Sequence, residues 1–510
     1  MSYSTGLYLL CFLPCTTLLY YLIPLRFRFL VLLASSFLFY LLGNGSLPFF
    51  LLLSTLIVYS AALLMNRLGG REKKKKKRLL WGSLLLLFGL LFFFKYFNFF
   101  SRNVNLLLGR LSSGGKLPIL SLLLPMGISF YTLQAASYLI DVSRGKYPAD
   151  RNFGRFLLYM CFFPHIMEGP IARYDQLGTQ VYEGHPFSYE NITGGLQLIL
   201  WGLFKKLVIA DRANMFVNTV FESWQNYHGF YVLAAALLYT LQLYAEFSGC
   251  MDIAAGSAQI FGIQLAENFR HPFSSRSINE FWQRWHISLG SWLRDYVFYG
   301  VSLSRPFKRL SQWARKRLPA HLAKWFPVTC ALFLVWFGNG MWHGASWKYI
   351  FYGLYYFFLL SLGTLLDPLF RNIPGRLGIG KNGRAYRGFQ RIRTFSIVVI
   401  GMLLFRAASL KTGIKMVFSI FRGFSLSVLT DGSILRMGCD GADLIVLSAG
   451  LIIMAAAGHL KERGKNLRGE IAALPLPVRW AIYYSGIFSV LILGAYGTGY
   501  AAVDFIYAHF

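Results

Sequence analysis

Long runs of apolar residues recur along the whole chain and constrain its fold more than any other feature. Residues 7–25 read LYLLCFLPCTTLLYYLIPL, and residues 79–94 read LLWGSLLLLFGLLFFF. About 20 apolar residues are enough for a helix to span a bilayer, where the backbone must satisfy its own hydrogen bonds. The runs therefore predict an all-α polytopic membrane protein.

The apolar runs also predict where the membrane segments lie. We expect segments at 5–25, 28–42, 47–65, 79–100, 119–140, 156–168, 192–216, 230–262, 326–342, 347–367, 394–408, 442–459 and 478–506. The first run lacks the basic start and cleavage site of a signal peptide, so we interpret it as a retained span. The segments 156–176 and 264–300 contain too many polar residues for ordinary crossings, and we expect them to be re-entrant or internal pieces.

Composition agrees with a membrane protein rather than with several soluble domains. The 510 residues are 55% hydrophobic and 14% charged, whereas soluble domains are about 25% charged. We therefore expect a single membrane domain over residues 1–510, with roughly 11 to 13 membrane segments.

The net charge of +30 is concentrated in short gaps between apolar runs. Four segments, 67–78, 305–324, 371–393 and 461–468, hold 26 of the 51 lysines and arginines. Short basic loops stay in the cytoplasm and attract anionic lipid head groups, which makes membrane lipids an expected partner. With the N-terminus outside, Arg26, Arg28 and the segments 67–78 and 141–155 all fall on the cytoplasmic side. No nucleic-acid-binding module accompanies the charge, so we expect no nucleic-acid partner.

A histidine interrupts one of the apolar runs. The stretch FGNGMWHGASW, Phe337 to Trp347, places His343 in a predicted span. Ionisable residues in such places usually face a cavity or the bundle interior and are functional candidates. A neutral imidazole can act as a general base near neutral pH. The alternative is a histidine satisfied by one hydrogen bond in a crowded core.

A second polar block, Glu267 to Val301, contains another histidine. Ser277 is a plausible helix cap with Glu280 three residues on, and helical spacing would put Asn279, Trp282, Trp285 and His286 on one face. This face predicts either a substrate wall or a packed aromatic helix with Arg294 and Asp295 in internal pairs.

Two further segments carry polar residues, and the common catalytic patterns are missing. FFPHIMEGPIARYDQL places His165, Glu168 and Arg173 around two prolines, as in a tunnel lining or an interfacial turn with an Arg–Glu pair. Glu246 and Asp252 are six residues apart and lie on different helix faces; either could neutralise a buried arginine. There is no Walker loop, dinucleotide fingerprint, nucleophile elbow or metalloprotease motif, and no metal site is predicted.

Several of these stretches together resemble the membrane-bound O-acyltransferase family. The matching pieces are FFPHIMEGPIARYDQL, FWQRWHISLGSWLRDYVF, MWHGASWKYIFYGLYYF and the closing DFIYAHF. The resemblance covers nearly the whole chain, is strongest over about 125–360, and is closest to the bacterial alginate O-acetyltransferase branch. After WLRDYVF the chain reads YGVSLSRPFKRL, which departs from the alginate-type pattern and leaves the acceptor open.

The resemblance implies a ring of helices around a central tunnel and an O-acyltransferase activity. It assigns catalytic roles to His343 and His286. With the helical face above, it suggests substrate-binding or tunnel-lining roles for Asn279, Trp282, Trp285, Trp342, Arg294 and Asp295. It implies an acyl thioester, acetyl-CoA or an acyl-carrier protein, as donor and no tightly bound cofactor.

The resemblance also implies a place and a partner for the reaction. It implies a bacterial plasma membrane protein that modifies an envelope polysaccharide with a separate extracytoplasmic SGNH-type partner. The alternatives are D-alanyl transfer to teichoic acid, or a proton-coupled transporter or flippase that uses both histidines as a proton relay.

Overall fold

The computed structural model describes residues 2–44, 48–68, 72–110, 116–167, 169–376 and 383–496. Helices dominate these ranges, and the extended pairing found within them is an isolated antiparallel bridge between Phe269 and Trp285. The predicted all-α fold is confirmed. Glu168, the closing stretch 504–510 and parts of the basic segments 67–78 and 371–393 lie outside the described residues.

The helices of the first half range in length from four to 31 residues. They are α1 (Leu13–Leu22), α2 (Arg28–Asn44), α3 (Pro48–Leu68), α4 (Lys73–Leu91), α5 (Phe97–Arg110), α6 (Ile128–Arg144), α7 (Phe153–Cys161), α8 (Phe163–Ile166), α9 (Thr179–Tyr182), α10 (Tyr189–Leu203), α11 (Asp211–Glu222) and α12 (Phe230–Ile260).

The second half begins with short helices and continues with long ones. They are α13 (Ile278–Arg284), α14 (Ile287–Trp292), α15 (Tyr299–Ser302), α16 (Arg305–Arg317), α17 (Ala320–His343), α18 (Trp347–Arg376), α19 (Arg384–Arg406), α20 (Leu410–Ser419), α21 (Gly441–Glu462), α22 (Leu467–Ala472) and α23 (Leu476–Leu493).

Some consecutive helices are joined by π-helical turns rather than by loops. Phe92–Tyr96 joins α4 to α5, and Phe204–Ala210 joins α10 to α11. The widened turn of a π-helix often occurs at a functional site. These two turns carry the lysines Lys95 and Lys205 inside long apolar segments.

The described ranges contain ten helical segments that are long and apolar enough to cross a membrane. They are Leu25–Gly43, Pro48–Leu68, Lys73–Arg110, Tyr189–Glu222, Phe230–Ile260, Ala320–His343, Trp347–Pro368, Arg384–Arg406, Gly441–Glu462 and Leu476–Leu493. Leu7–Leu22 is a shorter apolar helix. Leucines and isoleucines at the periphery are exposed, as expected for side chains that face lipid tails. The protein is therefore a multi-pass membrane protein.

Three predicted segments differ from ordinary spans. The segment predicted at 119–140 begins without regular secondary structure, and its helix, α6, starts only at Ile128 and is buried on nearly every side. The segments 156–176 and 264–300 consist of short helices with many buried side chains, in agreement with the prediction of internal pieces. Residues 497–506 of the last predicted span lie outside the described residues.

Glycines bring neighbouring long helices into close contact. A Cβ atom at Gly195 of α10 would lie 2.6 Å from the carbonyl oxygen of Gly256 in α12. The hairpin of α17 and α18 is equally tight, since a Cβ at Gly340 would lie 2.5 Å from the carbonyl oxygen of Tyr349. Small residues at helix crossings allow this approach within membranes. The second contact fixes the end of α17, where His343 lies.

Candidate active site

His343 is the last residue of α17 and is buried in an aromatic cage. Its side chain is 4% exposed. The imidazole centroid lies 5.0 Å from the indole of Trp342, 5.2 Å from the ring of Phe405 and 5.7 Å from the ring of Tyr352. Edge-to-face contacts of this kind hold a ring in one orientation. A single helix end thus delivers a buried, oriented imidazole.

The second histidine block begins as the sequence predicts. Ser277 caps α13, and its hydroxyl accepts the backbone N–H of Glu280 at 3.1 Å. The Glu280 carboxylate in turn accepts the backbone N–H of Arg276 at 2.8 Å. The helix start predicted from the Ser–Glu spacing is confirmed.

The chain does not continue as a helix to His286, so the predicted continuous face is wrong for Trp285 and His286. α13 ends at Arg284, and the backbone N–H of Ile287 donates to the carbonyl of Asn268 at 3.0 Å. Pairing with the preceding segment therefore replaces the helical hydrogen bonds. His286 adopts a positive φ of 48°, which is uncommon for a residue other than glycine. This turn points the histidine inward, where its side chain is 3% exposed.

Asn268 supports His286 from the paired segment. Its side-chain oxygen lies 3.3 Å from Nδ1 of His286 and accepts the backbone N–H of Ser288 at 3.0 Å. Its amide nitrogen contacts Sδ of Met251 at 3.2 Å. The ring of Phe247 packs against the imidazole with centroids 4.9 Å apart. His286 is therefore held on two sides.

The two histidines meet at Trp342. The indole centroid of Trp342 lies 5.4 Å from the imidazole of His286 and 5.0 Å from that of His343. His286 and His343 are 57 residues apart in the sequence. The structure thus brings together three residues from two separate sequence blocks.

A lysine that sequence reasoning missed completes this centre. The ammonium group of Lys95 donates to the carbonyl of Trp342 at 2.6 Å and to Oγ of Ser129 at 2.9 Å. The signal was available, because FFFKYFNFF places one cation in an apolar run. Asn268 was also missed. It lies too far before α13 for helical spacing to reveal its contact with His286.

The predicted tryptophans of α13 and its end belong to an aromatic cluster. Trp282 packs against Trp336 and Tyr356, with centroids 4.9 Å and 4.8 Å apart. Trp285 packs against Phe269 at 5.1 Å. This cluster joins α13 to α17 and α18. The predicted substrate-binding role of both tryptophans stays a prediction.

Asn279 lies apart from this cluster. It is exposed near the start of α13, whereas the amide that contacts His286 is that of Asn268. The structure does not bring Asn279 to the imidazole it was predicted to flank.

Arg294 and Asp295 form an ion-pair network rather than part of the histidine centre. Asp295 accepts from Arg294 at 2.9 Å and from Arg173 at 2.8 Å. Arg173 also donates to the hydroxyl of Tyr296, which donates to Asp141 at 2.8 Å. Partial burial favours the neutral acid, but the hydrogen bond from Arg294 and the charge of Arg173 outweigh it and lower the pKa of Asp295. The two residues are therefore ion-paired, but the side chain of Arg294 is 59% exposed, so this pair is not internal, and their predicted substrate-binding role stays a prediction.

The two carboxylates of α12 are paired with lysines, not with the arginine the sequence suggested. Asp252 accepts from Lys205 at 2.7 Å. Glu246 accepts from Lys206 at 3.2 Å, and the same lysine contacts Asp211 at 2.7 Å. Both lysines come from the π-helical turn after α10, which explains why linear spacing did not reveal the pairs.

The predicted polar bend at 156–176 is divided between two environments. His165 is buried, and its Nε2 lies 3.1 Å from the side-chain oxygen of Gln134. Arg173 joins the network of Asp295. The predicted Arg–Glu pair involves Glu168, which lies outside the described residues.

A cavity of about 350 Å³ lies between α12, α21 and the segment around Asn268. Its charged and polar lining includes Lys205, Asp252, Asn268, His271, Lys461 and Arg468. Glu267 also lines the cavity, so three cations face two carboxylates, and the cavity suits a polar or anionic ligand. Because Asn268 contacts both the cavity and His286, the cavity borders the histidine centre.

Comparisons with known proteins agree with this architecture. The model of the family described as "MBOAT, membrane-bound O-acyltransferase family" matches residues 148–379, a range that includes both histidines. The chain is 32% identical to the probable alginate O-acetylase AlgI of Pseudomonas putida, over 94% of this chain and 91% of that protein.

More distant relatives act on other polymers, according to their names. The chain is 29% identical to the peptidoglycan O-acetyltransferase of Helicobacter pylori, over 63% of this chain and 60% of that protein. It is 30% identical to the teichoic acid D-alanyltransferase of Bacillus subtilis, over 46% of this chain and 58% of that protein. With a matching family model and a similar relative along nearly its whole length, the chain belongs to the membrane-bound O-acyltransferase family and is an acyltransferase.

Proposed function

We propose that this acyltransferase moves an acetyl group from a cytoplasmic thioester to a hydroxyl group of an envelope polysaccharide, with His343 as the general base. The observation that carries the proposal is the contact of two buried imidazoles, those of His286 and His343, with one indole, that of Trp342. A pair of oriented imidazoles in a water-poor interior is suited to proton transfer during acyl transfer.

The reaction follows from the chemistry of the imidazole. The neutral ring of His343 takes the proton of the acceptor hydroxyl as its oxygen attacks the thioester carbonyl. The C–S bond then breaks, the proton passes to the sulfur, and an O-acyl ester and a free thiol result. Such general base catalysis contributes about 10²–10⁴-fold in rate.

His286 is the second participant in the proposal. Its ring is held by Asn268 and lies against Trp342, so it can orient the thioester or donate to the oxyanion that forms on its carbonyl. Preorganised donors at that position stabilise the developing charge. Holding donor and acceptor in one narrow place adds the effect of proximity.

The donor is proposed to approach through the cavity beside Asn268. Three contacts connect the chain next to this cavity with two of the basic segments, 371–393 and 461–468: Arg391 donates to the carbonyl of Ser274, Arg393 to that of Arg276, and Arg284 pairs with Glu462. Basic loops stay in the cytoplasm. A coenzyme A thioester or an acyl-carrier protein would meet the cations of these segments, and neither needs a tightly bound cofactor.

The acceptor and the location are inferred from the relatives. Acetylase relatives cover most of the chain, whereas the D-alanyltransferase relatives cover about half of it, which favours acetyl over D-alanyl transfer. We infer a bacterial plasma membrane location, an extracytoplasmic N-terminus, contact with anionic lipids and a separate SGNH-type partner protein that acts with this enzyme outside the cell membrane.

The experiment measures transfer of labelled acetyl from acetyl-CoA by the purified protein in lipid nanodiscs. The readout is either the label incorporated into an added polysaccharide or the free thiol that is released. His343→Ala, checked for the wild-type elution profile and melting temperature, is expected to lose at least about 100-fold in rate. Undiminished transfer by His343→Ala would remove the general base from the proposal. Label movement across a liposome membrane without thiol release would instead identify a transporter, and transfer only from a D-alanyl carrier would identify the other branch.

A further inference from the structure

The end of α17 depends on a side chain from a distant part of the chain. The last carbonyl groups of a helix have no partner within the helix, and α17 ends at His343. Lys95, which follows α4 in a π-helical turn, donates to the carbonyl of Trp342 at 2.6 Å. That carbonyl belongs to the peptide group that links Trp342 to His343.

Lys95 is an unusual residue for its position. A cation in an apolar segment is costly, and it usually pairs with a carboxylate. Among the described residues, the hydrogen-bond partners of Lys95 are the neutral groups Trp342 O and Ser129 Oγ. The negative end of the α17 dipole favours a cation there. Its hydrogen bond to the Trp342 carbonyl directs the nitrogen of Lys95 at this helix end.

We propose that Lys95 is a positioning residue for His343: its ammonium group binds the Trp342–His343 peptide and fixes the orientation of the imidazole. This inference rests on the proposed function, because it acts through the general base. The ammonium also lies 5.9 Å from the indole centroid of Trp342, so the same cation restrains both the backbone and the ring that separates the histidines. A misplacement of about 1 Å at a reacting group can cost on the order of 100-fold in rate.

The neighbouring residue provides a matched control. The hydroxyl of Tyr96 donates to the carbonyl of Met341 at 2.6 Å, one residue before Trp342. That carbonyl also accepts the backbone N–H of Gly344 at 3.1 Å, so it stays paired when the hydroxyl is removed. Tyr96→Phe therefore deletes a hydrogen bond of similar length from the same helix end without releasing the His343 peptide.

The test compares kcat and donor KM of the full-length protein in nanodiscs. Lys95→Met is expected to lower kcat roughly 10- to 100-fold with an unchanged KM for acetyl-CoA. Lys95→Arg, which still offers a cationic donor, is expected to restore most of the loss. Tyr96→Phe is expected to change kcat by less than about threefold, because the Met341 carbonyl keeps a partner.

A double variant shows whether Lys95 acts through His343. When Lys95→Met is added to His343→Ala, we expect no further loss of the residual activity. The effects of substitutions in residues that act as a unit are not additive. An equal loss in both backgrounds would overturn the proposal, as would a wild-type kcat for Lys95→Met. If Lys95→Met and Lys95→Arg lose the same factor in kcat and both have a lower melting temperature, Lys95 has a structural role, and this result would also overturn the proposal. If Lys95→Met does not fold, Lys95→Gln takes its place in each arm.

Failure of the proposed function gives a different pattern. Wild-type protein that does not transfer acetyl, or His343→Ala that transfers normally, contradicts the general base itself. Loss in His343→Ala with a normal rate in Lys95→Met contradicts only the positioning role.

Discussion

The imidazole of His286 lies 5.4 Å from the indole of Trp342, the residue that immediately precedes His343. His286 reaches this position from a tight turn after α13, and Trp342 from the end of a long helix. One indole therefore sets the separation of two imidazoles that come from different parts of the chain. The spacing of the pair depends on the size of that ring.

Replacing the indole by a smaller ring should disturb both histidines. We expect Trp342→Phe to lower acetyl transfer on the order of tenfold or more, because the imidazoles lose a common contact surface. The measurement is the rate of labelled acetyl transfer per folded protein. Trp347→Phe is the matched control: this tryptophan is 59% exposed, and it donates to Asn103 outside the histidine centre. Equal losses in both variants would contradict the role of Trp342.

The amide next to His286 should matter more than the amide that sequence spacing favoured. Asn268→Ala removes the side chain that lies 3.3 Å from Nδ1 of His286 and that accepts the Ser288 backbone N–H. Leaving such groups unpaired costs about 1–3 kcal/mol, so we expect roughly a tenfold loss or more in transfer rate. Asn279→Ala, at an exposed position, should lose less. A larger loss in Asn279→Ala would favour the sequence-based assignment instead.

Much of the fold could be predicted from the sequence, because apolar runs and short basic gaps are local signals. The candidate histidines could also be found, since each interrupts an aromatic block. Their relation could not. The turn at Trp285 depends on pairing with Phe269 and Asn268, and nothing within α13 itself reports that pairing.

The contact of Lys95 with the end of α17 also could not be predicted from the sequence. The lysine was visible in the sequence as a lone cation in an apolar run, but its partner is 247 residues away. Contacts of this kind follow from helix packing, which periodicity does not determine. The lysine partners of Glu246 and Asp252 were mistaken for arginine for the same reason.

The close contact of α17 with α18 should be sensitive to a single methyl group. A Cβ at Gly340 would lie 2.5 Å from the carbonyl oxygen of Tyr349 and 3.1 Å from Cα of Ile350, both backbone atoms. Gly340→Ala therefore forces the helices apart, and overpacking of this kind costs about 1–3 kcal/mol. We expect a lower melting temperature in detergent and a lower transfer rate, because His343 lies three residues further on.

The same helix offers a control for the glycine variant. A Cβ at Gly338 would meet no atom within 4 Å among the described residues, so Gly338→Ala should leave the melting temperature unchanged or slightly raised through better helix propensity. If both substitutions destabilise the protein to a similar extent, the effect of alanine in α17 does not come from the contact with α18.

The ion pairs of Asp295 should make stability depend on pH in one direction only. The hydrogen bond from Arg294 and the charge of Arg173 hold its pKa below the ordinary value of 3.8. Such a carboxylate stabilises the fold fully above its unfolded pKa, and the contribution is lost as the pH falls through the lower folded pKa. Because its side chain is 30% exposed, we expect a contribution of at most about 1 kcal/mol.

Asp295→Asn should therefore lower the melting temperature by a constant amount between neutral pH and about pH 5, and the difference should shrink below about pH 4. Melting curves of purified wild-type and variant protein across this range measure the difference. Glu72→Gln is the comparison, because Glu72 and its partner Lys75 are 39% and 65% exposed and their pairing should add nothing measurable. A difference for Asp295→Asn that persists unchanged into acid would mean that the asparagine alters packing rather than charge.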